Sequence, residues 1–425
     1  MISMLSSSGG ALPASATSVP HYLQYYPRTY VAPRIHSPLT IDGNLTKPAW
    51  EEVPWSDLFD DIRGTDDAPP EDRPPLSCAT RIKMLHDDEY LYIGALLHAD
   101  ADHPVVTSFT DRNDPIFQRD SDFEVFIDPT MTTHNYKEFE VNAYNTVWNL
   151  LLDKSYIDGG KEHSGRIAQP GQDLYYDVRR QQSAVQILEG SVNDPSSTTT
   201  VWSVEIAMAY TDLMVTKPMT SAVETLNYAP HPNKLYPHFW RINFSRVERQ
   251  GDLNWTWQPQ VEWNPIERRY QGNVNMHLPN AWGYLVLGDN VVSSQGENSE
   301  DSITTTTTPQ DPTWPIRMAA MNVYAAQHAY FQETIRTMTA TTTMIQDDHG
   351  GQFASHVSDL EAWLDLELID HVVALVDIEL SAAKDAFLAI LHSRDGAHEA
   401  TIRQDRFLLV NAPSQLQDVG MTRSS

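Results

Sequence analysis

Cysteine occurs once in the 425 residues, at Cys78. An intrachain disulfide and a cysteine-rich zinc site are therefore excluded. Basic residues are scarce: 29 Lys and Arg stand against 57 Asp and Glu, so the formal charge is 29 − 57 = −28. A surface of that sign repels phosphate backbones and anionic membranes, which argues against nucleic-acid binding. No apolar run reaches the ~20 residues that span a bilayer, so membrane insertion is not expected. The 16 histidines form no H-E-x-x-H helix. The chain also lacks a G-x-S-x-G elbow, a phosphate-binding G-x-x-x-x-G-K-[ST] loop and a dinucleotide fingerprint. The opening, "MISMLSSSGGALPASATSV", has no basic n-region and no sustained apolar core. It reads as a flexible tail rather than a signal peptide.

What is present is a long succession of short alternating runs. Residues 1–34 are rich in Ser, Ala, Pro and Tyr and read as a disordered tail. Residues 35–288 hold most of the tryptophans and the strand-like runs. "ATRIKMLHDDEYLYIGALLHA" is two such runs around the turn Asp87-Asp88-Glu89. "DFEVFIDP" places Phe123, Val125 and Ile127 on one face and Asp122, Glu124, Phe126 and Asp128 on the other, because side chains alternate along a strand. "EFEVNAYNTVWNLLL" sets Glu140, Asn142 and Tyr144 opposite Phe139, Val141 and Ala143 in the same way. Many short strands with few long helices predict a mainly β fold, an antiparallel β-sandwich. Residues 289–312 are polar and aperiodic and read as a linker. Residues 313–425 read as a small α+β domain. Ile316, Ala320, Val323, Gln327 and Tyr330 recur at helical spacing, "DLEAWLDLELIDHVVALVDIEL" is ambiguous between helix and strand, and Arg394-Asp395-Gly396 marks a turn. Such a domain would suit docking to a protein partner.

Three chemistries suit the residues on the sandwich. Glu124 and Glu140, if their strands pair, stand at a separation suited to glycoside hydrolysis, which needs two carboxylates roughly 5–9.5 Å apart. They equally suit a polar ligand-binding face, or a structural role. Trp255 and Trp257 share a strand face by alternation. Aromatic rings stack on the apolar faces of sugars while amides and carboxylates bond the hydroxyls, so these tryptophans are candidate sugar platforms as well as core fillers. Asp111, Asp114, Asp120 and Asp122 lie within a short acidic stretch. Hard oxygen ligands on a loop can hold calcium, and Asp111 and Asp114 are the candidates, although the spacing is not that of an EF-hand.

The ordered pieces resemble a family 9 carbohydrate-binding module across about residues 35–288. "RIHSPLTIDGNLTKPAWEEVPWSD" is similar to its opening, with Ile-Asp-Gly and then Ala-Trp. "RIKMLHDDEYLYIGALLHADA", "DSDFEVFIDP", "YKEFEVNAYNTVWNLLL", "WSVEIAMAYTDL", "FWRINFSRVE", "NWTWQPQ" and "NMHLPNAWGYLVLG" follow in the family's order. The resemblance implies a sugar-binding β-sandwich, structural calcium, association with carbohydrate catabolism, and action outside the cytoplasm. It also implies a site in which two tryptophans sandwich a sugar while a Glu, an Arg and Asn residues bond its hydroxyls. Position by position, Phe117 stands where the first tryptophan is expected and Glu124 matches the glutamate. Glu140 occupies the arginine position, Asn273 approximates an asparagine, and Met276 falls near the second tryptophan. Binding of a polysaccharide or sugar end is thus the expected function. The rivals are a glycoside hydrolase using Glu124 and Glu140, and a scaffold that has lost sugar binding. No other segment has the length or motifs of a common glycosidase fold, which weighs against the enzyme.

Overall fold

The computed structural model describes residues 19–217, 238–248, 251, 253–291, 308–341 and 351–412. The N-terminal 18 residues and 292–307, parts of the expected tail and linker, lie outside the described residues. The sandwich strands are β1 (Thr29–Arg34), β2 (Asp60–Asp61), β3 (Thr80–His86), β4 (Tyr90–Asp100), β5 (Asp122–Asp128), β6 (Tyr136–Asn142), β7 (Val147–Leu152), β8 (Glu162–His163), β9 (Gln182–Glu189), β10 (Thr199–Ala209), β11 (Phe239–Glu248), β12 (Leu253–Thr256), β13 (Val261–Asn264), β14 (Arg269–Gly272) and β15 (Gly283–Val291).

A 13-stranded sheet runs β8-β7-β6-β5-β11-β15-β1-β3-β4-β10-β9 and curls on itself, with β12 paired to β11 and β2 to β12 off that path, while β13 and β14 form a separate hairpin. Its two halves enclose one apolar core. Phe123, Val125, Ile127, Phe139 and Val141 enter it from one half, and Leu91, Ile93, Leu97, Trp202 and Val204 from the other. This is the expected mainly β sandwich, with a parallel seam. β1 lies between β15 and β3 and runs parallel to both. The expected tail therefore ends earlier than residue 34: "TYVAPR" alternates and closes the sheet, and Tyr30 and Ala32 are buried.

The opening motif caps the outside of the second half. Buried Glu205 accepts hydrogen bonds from the N–H groups of Asp42 (2.9 Å) and Gly43 (3.0 Å), the Lys47 Nζ (2.7 Å) and the Trp50 Nε1 (2.8 Å). Gly43 has φ +83°, and a Cβ there would lie 2.9 Å from the Gln186 Cγ. Both facts require glycine.

Beyond 308 the chain forms a long helix (Trp314–Thr341), a short one (Leu366–Val372), and an antiparallel sheet of β16 (Val373–Leu380), β17 (Phe387–Ser393), β18 (Glu399–Arg403) and β19 (Leu408–Asn411). The ambiguous apolar run thus divides at Val372/Val373. Asp365 caps its helical part by accepting from the Leu368 N–H, as an N-cap aspartate does. This unit does not hang free. Trp314, Ile316, Ala320 and Val323 share one core with Phe239, Tyr284 and Val286 of the sandwich. The β5–β6 loop plugs into it: the Thr133 Oγ1 donates to the Arg406 carbonyl (2.6 Å), and the Leu408 N–H donates to the Thr132 carbonyl (3.1 Å).

Candidate functional site

β5 and β6 pair so that Glu124 faces Glu140 directly and Asp122 faces Asn142. Glu140 in turn faces Trp148 of β7. Phe117 packs edge-on against Trp148, with centroids 5.0 Å apart at 80°, and Met276 belongs to the same apolar cluster. Four of the five residues carried over from the resemblance, Phe117, Glu124, Glu140 and Met276, therefore share one outer face, without Asn273. They also cover one another. Glu124 is 4% exposed and Glu140 1%, and the Arg166 guanidinium lies over the Trp148 ring at 4.9 Å. Arg166 thus occupies a face of Trp148, and both carboxylates are closed off from solvent. The same closure bars a polysaccharide from the Glu124–Glu140 pair and removes the geometric support for a glycosidase.

Burial and crowding shape these carboxyls. Burial pushes Glu124 up to about 7, against the lowering effect of the Ser245 hydroxyl. Burial, and then the Glu124 charge, pushes Glu138 up to about 8. Asp122 and Glu140 are raised well above the usual carboxylate range, first by burial and then by the charge of Glu124.

The other sequence candidates have structural employment. Trp255 and Trp257 are 1% exposed and sit inside the sandwich core. The Trp255 Nε1 donates to the Asp72 carbonyl at 2.7 Å, and Trp257 meets Phe244 edge-on at 5.9 Å. Neither can be a sugar platform. Asn142 spends its amide on the fold: Nδ2 donates to Asp120 (2.7 Å) and to the Phe109 carbonyl (3.0 Å), while Oδ1 accepts from the Tyr144 and Thr146 N–H groups. Asn273 is exposed, and its N–H bonds the Gln260 carbonyl. Asp111 and Asp114 close a turn, the Asp111 N–H donating to the Asp114 carboxylate at 3.1 Å. Among the described residues they join no group of three ligands within reach of one ion.

A cavity of about 820 Å³ lies elsewhere, between the sandwich and the C-terminal unit. Its walls come from the segment before β1, the loop after β2, the β13–β14 hairpin, the start of the long helix, Asp365 and Arg406. Tyr25 packs against Tyr270 at a 32° tilt with centroids 4.1 Å apart, and Trp263 meets Tyr270 edge-on at 5.3 Å. The Tyr270 hydroxyl donates to Asp365 at 2.8 Å. Asn322 borders the cavity at 1% exposure. Its Oδ1 accepts the Asp365 N–H at 2.9 Å, while its Nδ2 has no hydrogen-bond partner. Seven arginines and six carboxylates line the space. Many are already paired, as in Arg28–Asp60, Arg269–Asp67 and Arg406–Glu262, so the lining has little net charge. The sequence signal for this site is the aromatic density of "HYLQYYPRTY" and "NVYAAQHAYF", which lies in segments read as a tail and as a separate domain.

No protein-family model matches the sequence, and no curated protein does. Among solved structures, the chain is similar to a Bacteroides uniformis protein described as carbohydrate-binding, 12% identical, which covers 62% of this chain and all of its own at a TM-score of 0.39. A family 9 carbohydrate-binding module from Caldicellulosiruptor kristjanssonii, solved with cellotriose, is 14% identical and covers 66% of this chain and all of its own at a TM-score of 0.33. Its glucose complex covers 65% at the same identity and score. Similarity at that distance assigns neither a site nor a ligand to this chain.

Proposed function

We propose that this protein binds an uncharged carbohydrate, and that it does so in the cavity between the sandwich and the C-terminal unit rather than on the face of Glu124. The observation that carries this reading is the lining itself. Aromatic rings (Tyr25, Tyr270, Trp263) stand beside planar hydrogen-bonding groups (Asn322, Asp365 and the arginines) around about 820 Å³ of space. Sugars need both: rings for their C–H faces and planar donors and acceptors for their hydroxyls. A pocket between two packed units is also where ligands are commonly held. The buried, unpartnered Asn322 Nδ2 supports the reading, since a buried donor without an acceptor costs free energy until one arrives.

The test is a glycan array with the full chain, followed by calorimetric titration of the best ligand. Tyr25→Ala removes a ring at the cavity wall and is expected to weaken binding about tenfold, the order of one stacking contact. Phe117→Ala is expected to leave affinity unchanged. The opposite pattern would move the ligand to the outer face of β5 and β6. Retention of no glycan by the wild type would sink the reading altogether.

A further inference from the structure

Asp122, Glu124, Glu138 and Glu140 crowd one face of the paired strands β5 and β6, and the charges acting on Glu140 from Glu124, Glu138 and Asp122 all have its own sign. Ligand oxygens of Asp122, Glu124 and Glu140 lie within 4.8 Å of one another. Both oxygens of Asp122, a residue with no solvent exposure, lack a hydrogen-bond partner, as does the Glu140 Oε2. The Val247 N–H approaches Asp122 but misses hydrogen-bond geometry. Buried carboxylate oxygens without donors are costly unless a cation or protons meet them.

We propose that Asp122, Glu124 and Glu140 form a buried site for one hard, oxygen-liganded divalent cation of calcium size. The spacing selects the ion. Calcium–oxygen distances of about 2.3–2.6 Å let one ion bridge oxygens up to about 5 Å apart, which covers the whole group. Magnesium, at about 2.0–2.1 Å, spans less and usually keeps several waters, for which so closed a site has little room. The group includes no histidine or cysteine, so zinc and softer metals are not favoured. Rigidity favours the site as well: the ligands sit on paired strands in fixed register, not on a loop. The proposal is independent of what fills the cavity, and it differs from calcium at Asp111 and Asp114, whose carboxylates are on an outer turn.

The test is equilibrium dialysis of the chelator-stripped full chain against calcium, with thermal unfolding alongside. The wild type is expected to take up one ion per chain at this site and to unfold at a higher temperature with calcium than with chelator. Asp122→Asn and Glu140→Gln keep side-chain volume and are each expected to weaken uptake at least about tenfold. Without calcium both variants are expected to unfold no earlier than the wild type, because each removes one crowded like charge; this shows that lost uptake is not lost folding. Uptake kept in those two variants but lost in Asp111→Asn/Asp114→Asn would place the ion on the outer turn and overturn the proposal. No uptake by the wild type would overturn it too, leaving protons to neutralise the cluster.

Discussion

Lys137 lies on the core side of β6, level with Ile127 and Leu151, and is 1% exposed. Its Nζ donates to the Asn135 carbonyl at 2.6 Å. Burial draws its pKa down to about 7, against the raising effect of Asp128. The sign of the consequence follows from proton counting. Between the ordinary value of 10.5 and about 7 the unfolded chain holds a proton that the folded chain does not. Stability from this group therefore falls as pH drops through that window and levels off below it. Lys137→Met should be more stable than the wild type near pH 7, by on the order of 1–3 kcal/mol, and so unfold at a higher temperature, and the gap should close toward pH 10. Thermal unfolding of both across that range checks it, and a gap that widens with pH would refute the assignment. The alternation of Phe123, Val125 and Ile127 was legible in the sequence because period two leaves a direct trace. Lys137 was not, since a lysine at a core position looks like any other lysine until burial is known.

Pairing between neighbouring strands was similarly legible. The turns at Asp87-Asp88-Glu89 and Arg394-Asp395-Gly396 join β3 to β4 and β17 to β18, and Gly396 takes the positive φ of 68° that such a turn asks of glycine. The parallel seat of β1 between β15 and β3 joins residues far apart in sequence, and no local pattern announces it. The same holds for the outer face of β5 and β6. Its strands and their facing carboxylates could be read, but its closure by Phe117 and Arg166, which pack on Trp148 of β7, depends on loops arriving from elsewhere. The opening motif shows what its residues are for: Asp42, Gly43, Lys47 and Trp50 converge on Glu205, which is wholly buried. Glu205→Ala would remove the acceptor of the Asp42 and Gly43 N–H groups and of the Trp50 Nε1, while Lys47 keeps its bond to the Asp42 carboxylate. The substitution should lower stability by about 3–5 kcal/mol in denaturant titration, as loss of one partner from a buried charged network does. A loss within the range of ordinary surface changes would show that the motif does not hold the segment to the sheet.

Among the described residues, the sandwich and the C-terminal unit share a core. Trp314 and Ile316 complete a core begun by Tyr284 and Val286, and buried Asp311 accepts from the Tyr284 hydroxyl at 2.8 Å. Among the described residues, no helix is long and apolar enough to cross a membrane. The net charge of −28 disfavours anionic polymers near the surface but leaves a neutral glycan unopposed. The segment before β1, the β13–β14 hairpin and the long helix each supply a wall of the cavity, so ligand binding should report on all three together. Hydrogen exchange of the full chain, with and without the best glycan from the array, tests this most directly. The account predicts that the ligand slows exchange in residues 22–28, 261–272 and 318–325 at once. Slowing confined to residues 109–124 and 274–278, around Phe117 and Met276, would contradict it.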